Sequence, residues 1–101
     1  MNMNIQNLMR EAQKMQKNLQ KTQEELVNTI YEGTSSLVNI KVNGNKDIIS
    51  VKINCDDSFE KDDIEMLEDM VKIAYNDALK KVEKAYDEKL GAYGKQLNGL
   101  I

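Results

Sequence analysis

Apolar residues near the start of the chain recur at the spacing of one helix face. From Asn4 to about Val27 they form a row at every seventh position: Ile5, Ala12, Leu19 and Leu26. Leu8 and Met15 begin a second row, which Thr22 and Thr29 continue. This periodicity predicts one amphipathic helix with a seam like that of a coiled coil. The seam is too short, and too polar at its far end, for an independent zipper.

The apolar period then changes to two, which is typical of strands with one buried and one solvated face. Thr29 to Thr34 is rich in β-formers and predicts a weak strand. Alternating apolar residues predict two further strands, one with Val38, Ile40 and Val42 and one with Ile49, Val51 and Ile53. Asn43-Gly44 between them predicts a hairpin, because a tight turn needs positive φ and these residues tolerate it.

A second helix is expected from Ile64 to about Leu90. Asp62 is the candidate N-cap, with Glu65 three residues later in a capping-box arrangement. Its apolar stripe includes three alanines that would let another backbone pack closely, and consists of Leu67, Val71, Ala74, Ala78, Val82 and Ala85. Residues 91–101 hold three of the five glycines and predict a flexible tail.

These elements predict an α+β fold: a long helix, a small antiparallel sheet of two to three strands, and a second long helix. Residues 1–101 are the size of a single domain. A helix of about 24 residues is roughly 36 Å long, whereas a strand of about six residues spans only about 20 Å. The helices must therefore overhang the sheet and expose apolar stripes, and the small sheet must expose its edges. A homodimer would cover both.

The composition argues against several classes of protein. Hydrophobic residues make up 41% and charged residues 31%, as in a folded chain. No apolar run approaches the roughly 18 residues of a membrane helix, and no secretory signal opens the chain. Histidine is absent, Cys55 is the only thiol, and no phosphate loop, nucleophile elbow or zinc motif occurs. We therefore expect a cytoplasmic protein that is not an enzyme and has no cofactor, metal site or membrane partner.

The net charge of −3 comes from one local cluster. Asn54–Met70 holds eight acidic residues and one lysine, a net −7, whereas the remainder has thirteen basic and nine acidic residues, a net +4. We call Asn54–Met70 the acidic cluster. Carboxylates at a helix start complement its dipole. A calcium loop is the alternative, but the glycine that its turn needs is absent.

The first helix carries a row of cations, Arg10, Lys14, Lys17 and Lys21, which we call the basic stripe. They lie within roughly 60° of one another and face away from the apolar seam. On the second helix, Asp77 is placed to pair with Lys80 and Lys81, and Lys84 with Asp87 and Glu88. Only the first helix therefore leaves its cations open. The stripe is either an ordinary solvated face or a site for an anionic partner such as duplex DNA.

The sequence also resembles a known family, from about Asn7 to Lys84. The similarity is carried by Met9, Ala12, Met15 and Gln16, by Asn43-Gly44, and by the block Glu65–Ala78 with its segments "LEDMV" and "NDA". These residues are similar to those of the YbaB/EbfC family of nucleoid-associated proteins. The resemblance implies a tweezer-like homodimer that forms through the sheet and binds duplex DNA through projecting helices. It also implies a role in nucleoid organisation and gene regulation in the bacterial cytoplasm.

On the matching positions, the resemblance favours the basic stripe as the DNA contact and adds Lys80, Lys81 and Lys84 on the second helix. Binding would be directed mainly to backbone phosphates, with limited sequence specificity. Replication or recombinational-repair proteins are further partners that the family implies. The chain departs from the family pattern at Ser35-Ser36, where glycines are common, and in its acidic connection after the last strand. That acidity would weaken DNA binding if it lay near the DNA-facing surface.

Two readings from other classes remain open. Helix, hairpin, helix is also the plan of a prefoldin-like chaperone, and Leu8, Met9 and Met15 would suit a surface that grips varied apolar chains. The other is an interaction adaptor for replication or repair proteins.

Overall fold

The computed structural model describes residues 4–99, and side-chain surroundings for residues 4–93. The elements, in order, are α1 (Ile5–Asn28), β1 (Tyr31–Ser35), β2 (Val38–Val42), β3 (Ile48–Ile53), a 3-10 turn (Lys61–Asp63) and α2 (Ile64–Gly99). The predicted α+β fold with two long helices around a small antiparallel sheet is confirmed.

The helix ends differ from expectation in two places. The backbone N–H of Glu60 donates to Asp63 Oδ2 at 2.9 Å, which closes the 3-10 turn before α2, so Asp62 as N-cap is wrong. α2 continues to Gly99, well past the expected end near Leu90. Contacts with α1 near Tyr93 stabilise this extension despite its glycines. Leu100 and Ile101, the last residues of the expected tail, lie outside the described residues.

The three strands form an antiparallel sheet in the order β1-β2-β3. Tyr31 faces Val42 and Ser35 faces Val38 across the first pair, and Val38 faces Ile53 across the second. One face of β1 and β2 packs against α2 and forms the core, whose buried residues are Tyr31, Val38, Ile40, Val42, Ala74, Ala78 and Val82. Burial of this apolar surface is the main term that stabilises the fold.

The backbone of α2 touches the backbone of β1 at Gly33. A Cβ at that position would lie 2.0 Å from Ala74 O and 2.4 Å from Ala78 N. Both alanines are fully buried, so the expectation that small residues in the α2 stripe allow close packing is confirmed for this pair.

The β2–β3 hairpin forms as expected, but for a different reason. Its loop runs from Asn43 to Asp47, and the residue with positive φ is Lys46 (69°), not Gly44. The Asn43 side chain organises the loop by accepting from the backbone N–H groups of Asn45 (2.9 Å) and Asp47 (3.1 Å). Gly44 is needed for space, because a Cβ there would lie 2.2 Å from Leu26 O.

β3 differs from the expected pattern of one buried and one wet face. Within the described residues α2 contacts β1 and β2 but not β3. Consequently Ile49, Val51 and Ile53 are all exposed, Val51 by 48%. The alternation identified the face correctly for Val51 and Ile53, which lie opposite Ile40 and Val38. A register shift between Lys41 and Val42 places Ile48, and not Ile49, opposite Val42.

α1 and α2 run antiparallel and project from the sheet as an arm. Gly44 joins their bases, since its N–H donates to Val27 O (3.0 Å) and its carbonyl accepts from Tyr86 Oη (3.0 Å). Further out, Thr22 Oγ1 and Tyr93 Oη are hydrogen-bonded at 3.1 Å. The molecule is 76 Å long and only 20 Å by 13 Å across. No helix within residues 4–99 has a stretch long and apolar enough to cross a membrane.

Candidate nucleic-acid interface

The base of α1 is held firmly, so the cations further along it have a defined direction. Leu26 is buried, and its carbonyl accepts a hydrogen bond from Tyr31 Oη at 3.1 Å. At the end of the helix, the Thr29 backbone N–H donates to Glu25 O at 3.0 Å. The end of α1 next to the sheet is therefore fixed, and this fixes the direction in which the rest of the helix projects.

All four residues of the basic stripe are exposed on α1. Within residues 4–93, every ion pair is on α2 and none includes a residue of the stripe. Glu24 and Glu25, the nearest candidates for Lys21, do not pair with it. The stripe therefore presents unpaired positive charge along about 16 Å of helix.

The basic stripe and the packed face of α1 are on opposite sides of the helix. The residues of α1 that are buried or half-buried against the rest of the chain include Leu19, Thr22 and Leu26. At 100° per residue the centre of this packed face lies about 140° from the centre of the basic stripe. Lys14 also borders α2, because it lines a surface groove together with Tyr93. A rod-shaped anion on the stripe would therefore pass close to α2 at this point.

The three candidate lysines on α2 are in different environments. Lys81 lies 3.6 Å from Asp77 and Lys84 lies 4.0 Å from Glu88, whereas Lys80 is exposed and makes no ion pair among the described residues. The expected pairs of Lys81 and Lys84 thus form, but those of Lys80 with Asp77 and of Lys84 with Asp87 do not.

Asp77 and Lys81 also cover the outer edge of β1. The Thr34 backbone N–H donates to Asp77 Oδ2 at 3.1 Å, and the Lys81 ammonium donates to the carbonyl of Glu32. These side chains occupy backbone groups that would otherwise be open to another strand. Lys81 therefore has a structural partner, whereas the cations of α1 form no ion pair within residues 4–93.

The acidic cluster is remote from the basic stripe within one chain. α2 starts in the cluster and must run about 44 Å to bring Tyr93 beside Thr22, and the stripe begins at that level. This separation is several times the Debye length of roughly 8 Å at physiological salt. Within a single chain the acidic cluster therefore does not lie beside the basic stripe.

The acidic connection itself is a locally folded turn. Asp56 accepts hydrogen bonds from the backbone N–H (2.9 Å) and the hydroxyl of Ser58. These bonds favour the carboxylate and hold the pKa of Asp56 below its ordinary value. No group of acidic, cysteine or histidine residues within the described part of the chain could hold a metal ion.

Two exposed cations outside the helices were not among the sequence candidates. Lys41 and Lys52 lie on β2 and β3, on the face of the sheet opposite α2. Strand alternation already placed both on the solvated face, and that signal would have identified them. Glu32, opposite Lys41 on β1, partly offsets the charge of this face.

Comparisons with known proteins agree with this architecture. The sequence profile of the YbaB/EbfC DNA-binding family matches residues 1–97. A nucleoid-associated protein of Ligilactobacillus salivarius (strain UCC118) is 37% identical over 99 residues, covering 97% of this chain and 95% of the relative. One from Legionella pneumophila (strain Corby) is 44% identical over 97 residues, covering 96% and 87%.

A solved structure has the same fold. The crystal structure of an uncharacterized protein, HP0035, from Helicobacter pylori superposes with a TM-score of 0.65 at 26% identity. The match covers 94% of this chain and 99% of that one. Together with the profile match over nearly every residue, this similarity shows that the chain belongs to the YbaB/EbfC DNA-binding family.

Proposed function

We propose that this protein is a nucleoid-associated protein that binds duplex DNA mainly through backbone phosphates, with the basic stripe of α1 as its principal contact. The observation that carries the proposal is the contrast between the two helices. α1 presents Arg10, Lys14, Lys17 and Lys21 without ion-pair partners in the described residues, whereas the pairs on α2 neutralise Lys81 and Lys84. Unpaired cations are the groups that displace counterions from phosphates.

The acting species is a homodimer that forms through β3. This strand exposes an apolar row, including Val51 and Ile53, and it ends the sheet. The other end of the sheet, β1, is covered by Asp77 and Lys81. One covered and one open edge leave β3 as the place where a second copy can add to the sheet and bury apolar area. Two arms would then project from one joined sheet.

Such a dimer would contact the backbone phosphates of DNA and would not recognise its bases. The described residues contain no helix-turn-helix or other sequence-reading unit, and the cations lie in a row on a continuous helix. Contacts of this kind position a protein on DNA but carry little sequence information. We therefore expect weak sequence preference, action by binding and not by chemistry, and a cytoplasmic location on the nucleoid.

A gel-shift titration with duplex DNA tests the assignment of the stripe. Lys14→Glu/Lys17→Glu should abolish the shift, because each reversal replaces a phosphate contact with a repulsion, while the mass by light scattering stays unchanged. The matched control is Lys80→Glu/Lys84→Glu on α2, which should weaken binding much less. If the α2 variant had the larger effect, α1 would not be the principal contact.

The exposure of Leu8 and Met9 favours a second candidate, a chaperone that grips apolar chains. In that case the protein would give no shift even at low salt, and it would suppress aggregation of an unfolded client. Substitution of Leu8 and Met9 would remove that suppression, whereas substitution of Lys14 and Lys17 would not.

A further inference from the structure

The first turns of α1 expose an apolar face that nothing in the described chain covers. Ile5 is 71% exposed, Leu8 46% and Met9 57%. Large apolar side chains that are exposed side by side on one helix face are typical of interaction surfaces, whereas single exposed apolar residues occur on any protein surface. We call residues 5–15 of α1 the arm tip.

The face of the arm tip continues the packed face between α1 and α2. Ile5 and Ala12 belong to the same seven-residue row as Leu19 and Leu26, which are half-buried and buried. α2 ends at Gly99, six residues beyond Tyr93, and Tyr93 is level with Thr22. With antiparallel helices of equal rise, Gly99 is near the level of Gln16. About 16 Å of the α1 seam therefore extends past the described part of α2.

The charges of the arm tip permit contact with a second copy of itself. Gln6 and Gln13 flank the apolar face on one side, and Glu11 is the one charged residue that flanks it on the other side. Arg10 and Lys14 lie on the opposite side of the helix. Two tips that met through their apolar faces would therefore hold their cations apart, on the two outer sides of the pair.

We propose that the arm tips of two molecules pair antiparallel through Ile5, Leu8, Met9 and Ala12. Leu8 and Met9 lie midway between Ile5 and Ala12, so they would meet near the two-fold axis, with each Ile5 near Ala12 of the other copy. The contact is the same patch on both copies, so one pair of tips is complete and does not admit a third tip. It supplies the missing partner for a helix seam that α2 covers only in part.

Pairing of the arm tips would allow the protein to bridge two DNA duplexes. Bridging rests on the proposed DNA-binding function, whereas the pairing itself does not. Because the basic stripes face outward on both sides of the paired tips, one assembly can hold two duplexes at once. The protein would then bridge DNA segments in addition to coating them.

Sedimentation velocity without DNA tests the pairing. The average mass of the wild type should rise with concentration to at least twice its value at low concentration, because a dimer through β3 carries two arm tips. Leu8→Gln/Met9→Gln should shift this rise to a roughly tenfold higher concentration, because less apolar surface is buried. The matched control, Gln6→Ala/Asn7→Ala, changes the same turn on its other sides and should behave as the wild type. None of these substitutions alters charge.

Three results would overturn the pairing: a mass that does not depend on concentration, equal behaviour of the two variants, or an association that high salt abolishes. A monomeric low-concentration species would contradict the proposed dimer through β3, and the comparison of the two variants would still decide the pairing. Capture of a second, labelled duplex on immobilised DNA provides the readout for bridging. The wild type should capture it, whereas Leu8→Gln/Met9→Gln should bind single duplexes with unchanged affinity and lose the capture.

Discussion

Two glycines place the elements of this molecule at distances that no other residue allows. Gly33 lets the backbone of α2 rest on β1 between Ala74 and Ala78, and Gly44 lets the hairpin loop rest on the end of α1 at Leu26. Neither has positive φ, so the need is for space and not for backbone freedom. The arm keeps its direction relative to the sheet because both contacts are between backbones, which cannot rotate away.

Gly33→Ala should therefore destabilise the fold by about 3 kcal/mol, the upper end of the usual cost of overpacking. Gly91→Ala is the control, since it lies on α2 with nothing within 4 Å of its added Cβ. It should stabilise the protein by about 0.5–1 kcal/mol, because alanine favours helix over glycine. Urea unfolding of both variants measures this. If the two substitutions changed the free energy of unfolding equally, α2 would not approach β1 closely at Gly33.

Tyr31 should make stability depend on alkaline pH. Burial raises the pKa of its hydroxyl above the ordinary 10.0, although a hydrogen bond with Thr29 opposes the shift. The folded state therefore holds this proton more tightly than the unfolded chain. The resulting stabilisation is complete below about pH 10 and is lost as the pH rises through the raised pKa.

Urea unfolding across this alkaline range should show the loss. Tyr31→Phe should reduce it, and should cost about 1 kcal/mol at neutral pH because Leu26 O loses its donor. Tyr75→Phe keeps the buried hydroxyl and should retain the pH dependence. A wild-type curve that is flat through the alkaline range would rule out this role for Tyr31.

At the scale of elements, local patterns predicted more than tertiary ones. The seven-residue rows gave α1 to within a residue at each end, and strand alternation with Asn43-Gly44 gave the hairpin. The i,i+4 spacing predicted the pairs of Lys81 and Lys84. Each of these follows from the repeat of a single element and so can be read along the chain.

What the sequence did not predict depends on how elements meet. The edge contacts of Asp77 and Lys81 require β1 to lie beside α2, and the end of α2 depends on Tyr93 reaching Thr22. The apolar residues of β3 are exposed because α2 packs against β1 and β2 and does not reach β3. The positions of the basic stripe could be read from the sequence, and the structure adds that none of these cations forms an ion pair within residues 4–93.

The edge contact of Lys81 leads to a prediction at this scale. Lys81→Met should lower the free energy of unfolding by about 1 kcal/mol, since the carbonyl of Glu32 loses a charged donor. The same change at the exposed, unpaired Lys80 should leave stability unchanged. DNA affinity should fall by a similar small factor in both variants. A selective loss of DNA binding in Lys81→Met, with normal stability, would mean that Lys81 contacts phosphate instead.

At the scale of the whole molecule, the sheet has one covered and one open edge. We expect Val51→Lys to convert the proposed dimer to a monomer, because it places a charge on the exposed apolar row of β3. Thr34→Lys on β1, at the covered edge, is the matched control and should leave a dimer. Size exclusion with light scattering distinguishes the two. If the protein remained a dimer with Val51→Lys but became a monomer with Thr34→Lys, the interface would lie at β1 and not at β3.

The distribution of charge over the whole molecule explains how a protein with a net negative charge can bind a polyanion such as DNA. The acidic cluster lies at the end of the molecule where α2 begins, and the basic stripe lies on the arm beyond the sheet. Because about 35 Å of helix separates the two regions, the net charge of −3 does not describe the surface around the basic stripe.

The salt dependence of DNA binding tests this account most directly. A dimer offers at most eight stripe contacts, so log K against log salt for a duplex should have a slope no steeper than about −7. Lys14→Gln/Lys17→Gln removes four contacts per dimer and should make the slope shallower by about 3.6 relative to the wild type. This result requires all eight contacts to form. A slope that these substitutions leave unchanged would contradict the claim that α1 carries the phosphate contacts.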